Sequence, residues 1–395
     1  MGNLPGQDTG RVGVWFIGAR GSVATTAVVG AAAVGAGLVP PTGMVSELPE
    51  FVGAGLPPLA RLVFGGHDIV TTSLPKRAEQ LADAGVFSPA LLPAVARALQ
   101  LAELEVRLGA TPARSGEPQE AAAASLTADL TSFRERNRLS QVVVVNVSST
   151  EPVAPLRRAH QSVGALEEAL ATRPDVLPTS SLYAYAALRA GCSYVDFTPS
   201  RGIRLPALRQ LAGQRRLPFA GSDGKTGETL VRAALAPMFT HRALRVRSWS
   251  GTNLLGGGDG ATLAEPAAAA SKNASKRSGL AAMLGDQVQG CTHIDYVPSL
   301  GEQKTAWDHI AFEGFLGTPM TMQFTWQGVD SALAAPLVLD LARFLARARQ
   351  LGAAGPQEQL AFFFKDPVRA DRSAGEHRLV TQFETLRAWY RGGRS

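Results

Sequence analysis

Lysine is scarce in this 395-residue chain, and arginine carries most of its positive charge. Apart from Lys76, the lysines are Lys225, Lys272, Lys276, Lys304 and Lys365, set in short segments that also hold glycine or proline. Lysine, unlike arginine, shifts its pKa on burial and exchanges protons near neutrality, so a few sheltered lysines suit acid–base work. Lys272 and Lys276 are four apart, which puts both ammonium groups on one face of a helix. Their repulsion costs roughly a few tenths of a kcal/mol unless an anion lies between them, and an ordinary exposed face would carry the same pair. Asp259, Asp308 and Asp330 border apolar sequence and could pair with these lysines. His293 reads as a structural residue in a strand, and His67 and His309 lack a partner at ligand spacing. The chain has no CxxC or H-E-x-x-H, so no built-in zinc site is expected. It has no G-x-S-x-G elbow either, which disfavours nucleophilic hydrolysis.

The elements that must position these groups begin with RVGVWFIGARGSVATT, residues 11–26. Val12 to Ile17 read as a strand buried on both faces, Gly18 breaks it, and an Ala/Val-rich helix follows Gly21 at once. A helix opening straight from a parallel strand offers free N–H groups and a positive dipole end, which suits a pyrophosphate. Arg20 stands where the usual fingerprint has its middle glycine, so a plain strand–helix turn without a ligand stays open. Asp68, after a second strand over residues 61–70, is the first acidic candidate for a ribose diol, much further along than the usual spacing of about 20. The strand at residues 141–147 ends in a cluster that includes Asn146 and Ser148, where open parallel sheets place ligand contacts. A further glycine-bearing turn, residues 221–227, carries Asp223 and Lys225 into a helix.

The chain is too long for one ordinary core, so two domains are expected. Net charge is +6, without an arginine block interleaved with aromatics; a site for an anionic metabolite explains it as well as nucleic acid would. Cys192 and Cys291 lie far apart, which indicates a reducing compartment rather than a disulfide scaffold. The apolar run at residues 23–39 is mostly Ala and Gly with Thr25 and Thr26 inside, so no membrane span is expected and the setting reads as cytoplasmic.

Helices are predicted at residues 81–108, 125–138 and 156–170, with a loop at 111–124 between the first two. Ser180 or Ser181 is a candidate cap for the helix that follows, and short strands are predicted at 193–197 and 217–220. From Leu244 the composition changes, and alternating strands such as MTMQFTW suggest a half-exposed second sheet. Helices at 338–349 and 379–390 close the chain. The expected division is residues 1–244, 245–330 and a segment 331–395 that returns to the first domain.

GARGSVATT, GGHDI, VNVSSTE, FTPS, GSDGKTGET, GGGDG, SKNASK, VPSLGEQKTAWDHIAFEGFLG, VDSALAAPLVLDL and FKDP occur in this order. Together they resemble the myo-inositol-1-phosphate (inositol-3-phosphate) synthase family over residues 12–370, in its short prokaryotic form. The resemblance implies an α/β fold: a Rossmann-type parallel-sheet domain with a second α+β catalytic and oligomerisation domain, assembled as a homotetramer. It implies NAD as cofactor and cyclisation of a hexose 6-phosphate, glucose 6-phosphate first, by oxidation, enolisation, aldol closure and re-reduction. Lys272, Lys276, Lys304 and Lys365 match the family's active-site lysines. Lys272 would handle the C5 hydroxyl proton, Lys304 and Lys276 would face the enolate and aldehyde oxygens, and Lys365 would hold the ring-closing geometry. Asp330 resembles the aspartate that orients a lysine or the nicotinamide side, and Asp308 a partner behind it. Gly18, Ala19, Arg20, Gly21, Ser22, Val23 and Asp68 would hold the pyrophosphate and ribose; Asn146, Ser148, Asp223 and Asp259 would complete the cofactor site. Ser271 and Lys225 would bind the substrate phosphate. The family's asparagine-rich turn is here Gly257–Gly258, its Gly-Asp-Ser-Lys is Gly301-Glu302-Gln303-Lys304, and Asp196 replaces an amide. Those departures also suit a relative that closes a five-membered carbocycle from fructose 6-phosphate. An NAD-binding scaffold without turnover is the non-enzymatic alternative.

Overall fold

The fold was analysed in a computed structural model that describes residues 10–110, 117–152, 154–257, 284–285, 287–371 and 376–392. Its first sheet grows from β1 (Val12–Ile17), whose residues are all buried. The chain continues through α1 (Ser22–Gly35), β2 (Leu62–Asp68), α2 (Leu74–Asp83), α3 (Leu92–Leu104), β3 (Val106–Leu108), α4 (Gln119–Arg136) and β4 (Gln141–Asn146). Next come α5 (Val163–Leu170), α6 (Thr179–Arg189), β5 (Ser193–Asp196), α7 (Pro206–Gln214) and β6 (Pro218–Gly221). After α8 (Gly227–His241), β7 (Arg245–Leu255), β8 (Thr292–Tyr296), β9 (Gln303–Glu313) and β10 (Pro319–Val329) build a second sheet. Then α9 (Asp330–Gln350), β11 (Gly355–Pro356) and α10 (Leu379–Gly392) close the chain.

The first sheet is parallel, in the order β11-β6-β5-β4-β1-β2-β3. The chain winds outward from β1 in one direction and then crosses back to β4, which leaves a crevice at the carboxyl ends of β1 and β4. Apolar residues of α1, α3 and α9 cover one face of the sheet and those of α4, α6 and α7 the other. A strand with a helical layer on both sides must be apolar throughout, and Val143, Val144 and Val145 of β4 are completely buried. The architecture is thus a Rossmann-like parallel sheet with a mixed second domain.

The second sheet runs β10-β9-β7-β8, antiparallel except for β7 with β8. Its covered face carries Trp249 and Ile310, packed against Phe239 of α8. Trp307 on the opposite face is 42% exposed.

Several sequence expectations need correction. Residues 81–108 are not one helix: Gly85, at φ +77°, ends α2, and Pro89 and Pro93 mark a fresh start before α3. The alanines at 121–124 lie inside α4 rather than in a loop, as their high helix propensity favours. Only residues 163–170 of the run predicted from 156 are α-helical, because Ser162 caps a new start there. Ser180 and Ser181 sit inside α6, where they bond the Gly202 backbone instead of capping. No strand was predicted over β9, although it carries both Lys304 and Asp308.

Candidate active site

At the crevice Gly18 has φ +86°, and a Cβ there would stand 3.0 Å from Ser148 Cα. Glycine alone lets the turn after β1 pass this close to the loop after β4. Gly21 caps α1 without a side-chain bond, and the first turn holds no acid, so its N–H groups are available to an anion. A carboxylate already stands beside it. Glu302 Oε1 lies 3.2 Å from Ser22 Oγ, and Arg77 Nη2 lies 2.9 Å from the same carboxylate oxygen and 2.7 Å from Ser22 Oγ. Asp68, at the carboxyl end of β2, accepts from the Arg20 N–H at 2.7 Å and the Val70 N–H at 2.8 Å. Arg20 pairs with Glu103 at 2.5 Å, beside buried Ala19 and half-buried Val23. Asn146 donates to Asp196 Oδ1 at 3.2 Å and accepts from Ser148 Oγ at 2.7 Å, which joins the ends of β4 and β5. Gly18, Ser22, Asp68, Asn146 and Ser148 thus share the edge where a dinucleotide fits: a close-approach turn, an uncapped helix start already courting a carboxylate, and an acid after β2.

Two lysine–carboxylate pairs flank the turn at residues 221–227. Lys365 Nζ lies 2.7 Å from Asp223 Oδ1, and the Lys365 N–H donates to the Asp223 carbonyl. Both side chains are largely buried, so the ammonium is held in a low-dielectric setting by its own counter-charge. From the second sheet, Lys304 Nζ reaches Asp330 Oδ2 at 3.2 Å and Oδ1 at 3.4 Å. The first pair belongs to the turn itself, and the second stands beside its last residue. Gly227, at φ +50°, opens that helix behind Thr226, which makes no side-chain cap bond. A Cβ on Gly227 would lie 3.5 Å from Trp326 Nε1 and 3.9 Å from both Lys304 Nζ and Asp330 Oδ1.

Several polar atoms around that point are buried without a hydrogen-bond partner among the described residues: Trp326 Nε1, Ser331 Oγ and both amide atoms of Asn253. Register explains the grouping. Asn253 of β7 is opposite Ala306 of β9, which is opposite Trp326 of β10, and Lys304 lies one step along the same face. Leaving such groups unpaired costs about 1–3 kcal/mol each, so their grouping beside Lys304 is a feature of a candidate polar binding site. Arg77, Asn253, Trp326 and Ser331 carried no mark in the sequence reading. The period-two alternation of SWSGTNLL, which puts Trp249, Gly251, Asn253 and Leu255 on one face, is the signal that could have found Asn253.

Asp308 belongs to a separate buried group. Arg232 Nη2 lies 2.9 Å from Asp308 Oδ1, Trp249 Nε1 donates to that same oxygen at 2.7 Å, and Arg232 also pairs with Glu228. Burial, reinforced by Glu228, pushes the Asp308 carboxyl above its ordinary range despite Arg232. Lys225 turns toward the C-terminal helix, where Nζ lies 2.5 Å from Gln382 Oε1, and burial lowers its pKa to about 8. Gly257 lies two residues beyond β7, with Glu302 Oε2 3.9 Å from where its Cβ would be. Gly258, Asp259, Ser271, Lys272 and Lys276 lie outside the described residues.

The family model described as myo-inositol-1-phosphate synthase matches residues 54–391. The inositol-3-phosphate synthase 1 of Bacteroides thetaiotaomicron is 33% identical, over 96% of this chain and 94% of that protein. The inositol-3-phosphate synthase of Trypanosoma brucei brucei is 32% identical over 55% of this chain and 43% of its own length. Among solved structures, the inositol-3-phosphate synthase of Caenorhabditis elegans superposes with a TM-score of 0.86, at 21% identity over 97% of this chain and 86% of that one. A myo-inositol-1-phosphate synthase-related protein from Thermotoga maritima gives 0.76, at 23% identity over 96% and 98%. At those identities the two structures speak to the fold.

Proposed function

The chain belongs to the myo-inositol-1-phosphate synthase family, and from that premise we propose that it cyclises glucose 6-phosphate to an inositol phosphate with no net oxidation. NAD, when bound, would supply reversible hydride-acceptor chemistry, which a cyclisation with no net oxidation needs. The chain's own residues do the rest. Residues 18–23 with Ser148 hold the dinucleotide, and Asp68 fixes the turn that receives it. Lys304 Nζ, oriented by Asp330, offers a fixed cation to the oxygen that turns negative when the carbon beside the ketone loses its proton. Lys365 Nζ, oriented by Asp223, holds charge and geometry for ring closure, while Lys272 and Lys276 serve the hydroxyl proton and the aldehyde oxygen. Asn253, Ser331 and Trp326, whose buried polar atoms have no partner among the described residues, would bond the sugar hydroxyls or phosphate. Carrying this reading are two lysine–carboxylate pairs at the turn that opens α8: Lys365 with Asp223 inside the turn, and Lys304 with Asp330 beside Gly227 at its end.

The test is incubation with NAD and glucose 6-phosphate, with the carbocycle identified by phosphorus NMR and mass spectrometry. Lys304→Ala should lower product formation at least about 100-fold while moving NAD affinity less than about threefold, since its ammonium acts on the reacting oxygen. Retained turnover would remove Lys304 from the chemistry. A second reading, fructose 6-phosphate closing to a five-membered ring, draws on the space beside Gly257, where among the described residues nothing lies closer to a Cβ than 3.7 Å. The product's ring size decides between them.

A further inference from the structure

The contact between Glu302 and the start of α1 joins the two sheets. Ser22 is the first residue of α1, Arg77 belongs to α2, and Glu302 immediately precedes β9, two residues before Lys304. Ser22 Oγ, Arg77 Nη2 and Glu302 Oε1 form a closed triangle with sides of 2.7, 2.9 and 3.2 Å. Arg77 is anchored on its own helix by Nη1, 3.2 Å from Gln80 Oε1. A carboxylate beside a helix N-terminus and a guanidinium satisfies the same positive field that a diphosphate would. The two anions cannot hold that position together without mutual repulsion, and the Arg77 guanidinium can neutralise either.

We propose that Arg77 is a ligand of the dinucleotide diphosphate and that Glu302 is its internal competitor, a placeholder carboxylate displaced when the cofactor arrives. This rests on the reading that NAD occupies the turn at residues 18–23. Displacement releases Glu302 from the first sheet, and Glu302 and Lys304, two apart, project to the same side of the strand they begin. Cofactor binding is thereby linked to the segment that presents Lys304, whose pairing with Asp330 is already in place. The role is not a matter of shape, because Gln at 302 keeps the size and removes the charge.

The measurement is calorimetric titration of the full chain with NAD and separately with ADP-ribose, for wild type, Glu302→Gln, Arg77→Gln and Arg77→Lys. Glu302→Gln should bind both ligands about tenfold tighter, as expected from removing one like charge next to a diphosphate. Arg77→Gln should bind both about tenfold or more weakly, with Arg77→Lys in between. ADP-ribose should follow NAD, because the competition is for the diphosphate and not the nicotinamide. If Glu302→Gln leaves affinity unchanged or weakens it, the placeholder role is overturned; if Arg77→Gln binds as wild type, Arg77 is no ligand. A wild-type chain that binds neither molecule would instead sink the cofactor reading itself.

Discussion

Asp196 shows how much one carboxyl can be altered by its surroundings. It is completely buried at the end of β5, accepts from Asn146 and Thr198 through Oδ1, and leaves Oδ2 without a partner. Burial raises its pKa from the ordinary 3.8 to about 7, outweighing the bonds from Thr198 and the nearby Arg204. Between those values the folded chain keeps a proton that the unfolded chain has released. The stability this confers is full at low pH and is lost as pH rises toward 7. His67 acts with the opposite sign. Its Nδ1 accepts from Trp15 Nε1 at 2.9 Å, so Nε2 carries the hydrogen toward Asp129, and burial lowers its pKa below 6.5. Acid must force a proton onto that ring, so its contribution is lost as pH falls below 6.5. Asp196→Asn, which imitates the protonated carboxyl, should be about 2 kcal/mol more stable than wild type at pH 8 and equal to it near pH 4. Urea unfolding at the two pH values reads the difference, and an equal gain at both would refute the titration account.

At the scale of elements, α8 connects the chemistry to the second sheet through Arg232. That side chain is 4% exposed, ion-paired with Glu228 one turn back and with Asp308 on β9, and it lies over Trp249. Arg232→Met should cost about 3–5 kcal/mol, because the buried Asp308 carboxyl would lose the guanidinium that pairs with it. Adding Glu228→Gln and Asp308→Asn should restore most of the loss, and thermal unfolding of the single and triple variants checks it. No recovery would mean that packing against Trp249, rather than charge, sets the cost. The same region shows what the sequence can and cannot tell. β1 and β4 were legible because a strand covered on both faces must be a continuous apolar run, and the turns at Gly18 and 221–227 because glycine and polar residues interrupt such runs. β9 was not, since GEQKTAWDHIAFE mixes charges into both faces: one packs around Arg232 and the other is open. Asp308 was picked out by type and by resemblance, yet its nearest cation is an arginine on another element. Lys304 and Asp330 lie 26 residues apart, and only the pairing of β9 with β10 brings them together.

Across the whole molecule, the C-terminal helix ties the ends of the chain to the site. Tyr390 on α10 is 3% exposed, stacks among Phe51 and Phe344, and donates its hydroxyl to the Phe344 carbonyl at 2.7 Å. Phe383 adds edge contacts to Phe51 and Phe362. On the same helix Gln382 holds Lys225, which belongs to the turn that opens into α8. Loss of α10 would therefore expose an aromatic cluster and strip a buried ammonium of its acceptor in one stroke. Truncation after residue 378 should give a chain that unfolds at markedly lower temperature, since each buried aromatic removed costs about 3–5 kcal/mol. Gln382→Ala separates the two effects. It leaves the aromatic packing in place but removes the acceptor from an ammonium already lowered to about 8 by burial, so the Lys225 pKa should fall further and the group become neutral near pH 7. The fold should then survive, with at most about 2 kcal/mol lost. If α10 also braces the turn at 221–227, product formation should fall more steeply between pH 6 and pH 8 than in wild type. A variant as active as wild type, with an unchanged pH profile, would show that α10 supports the first domain's core and leaves that turn to the lysine pairs alone.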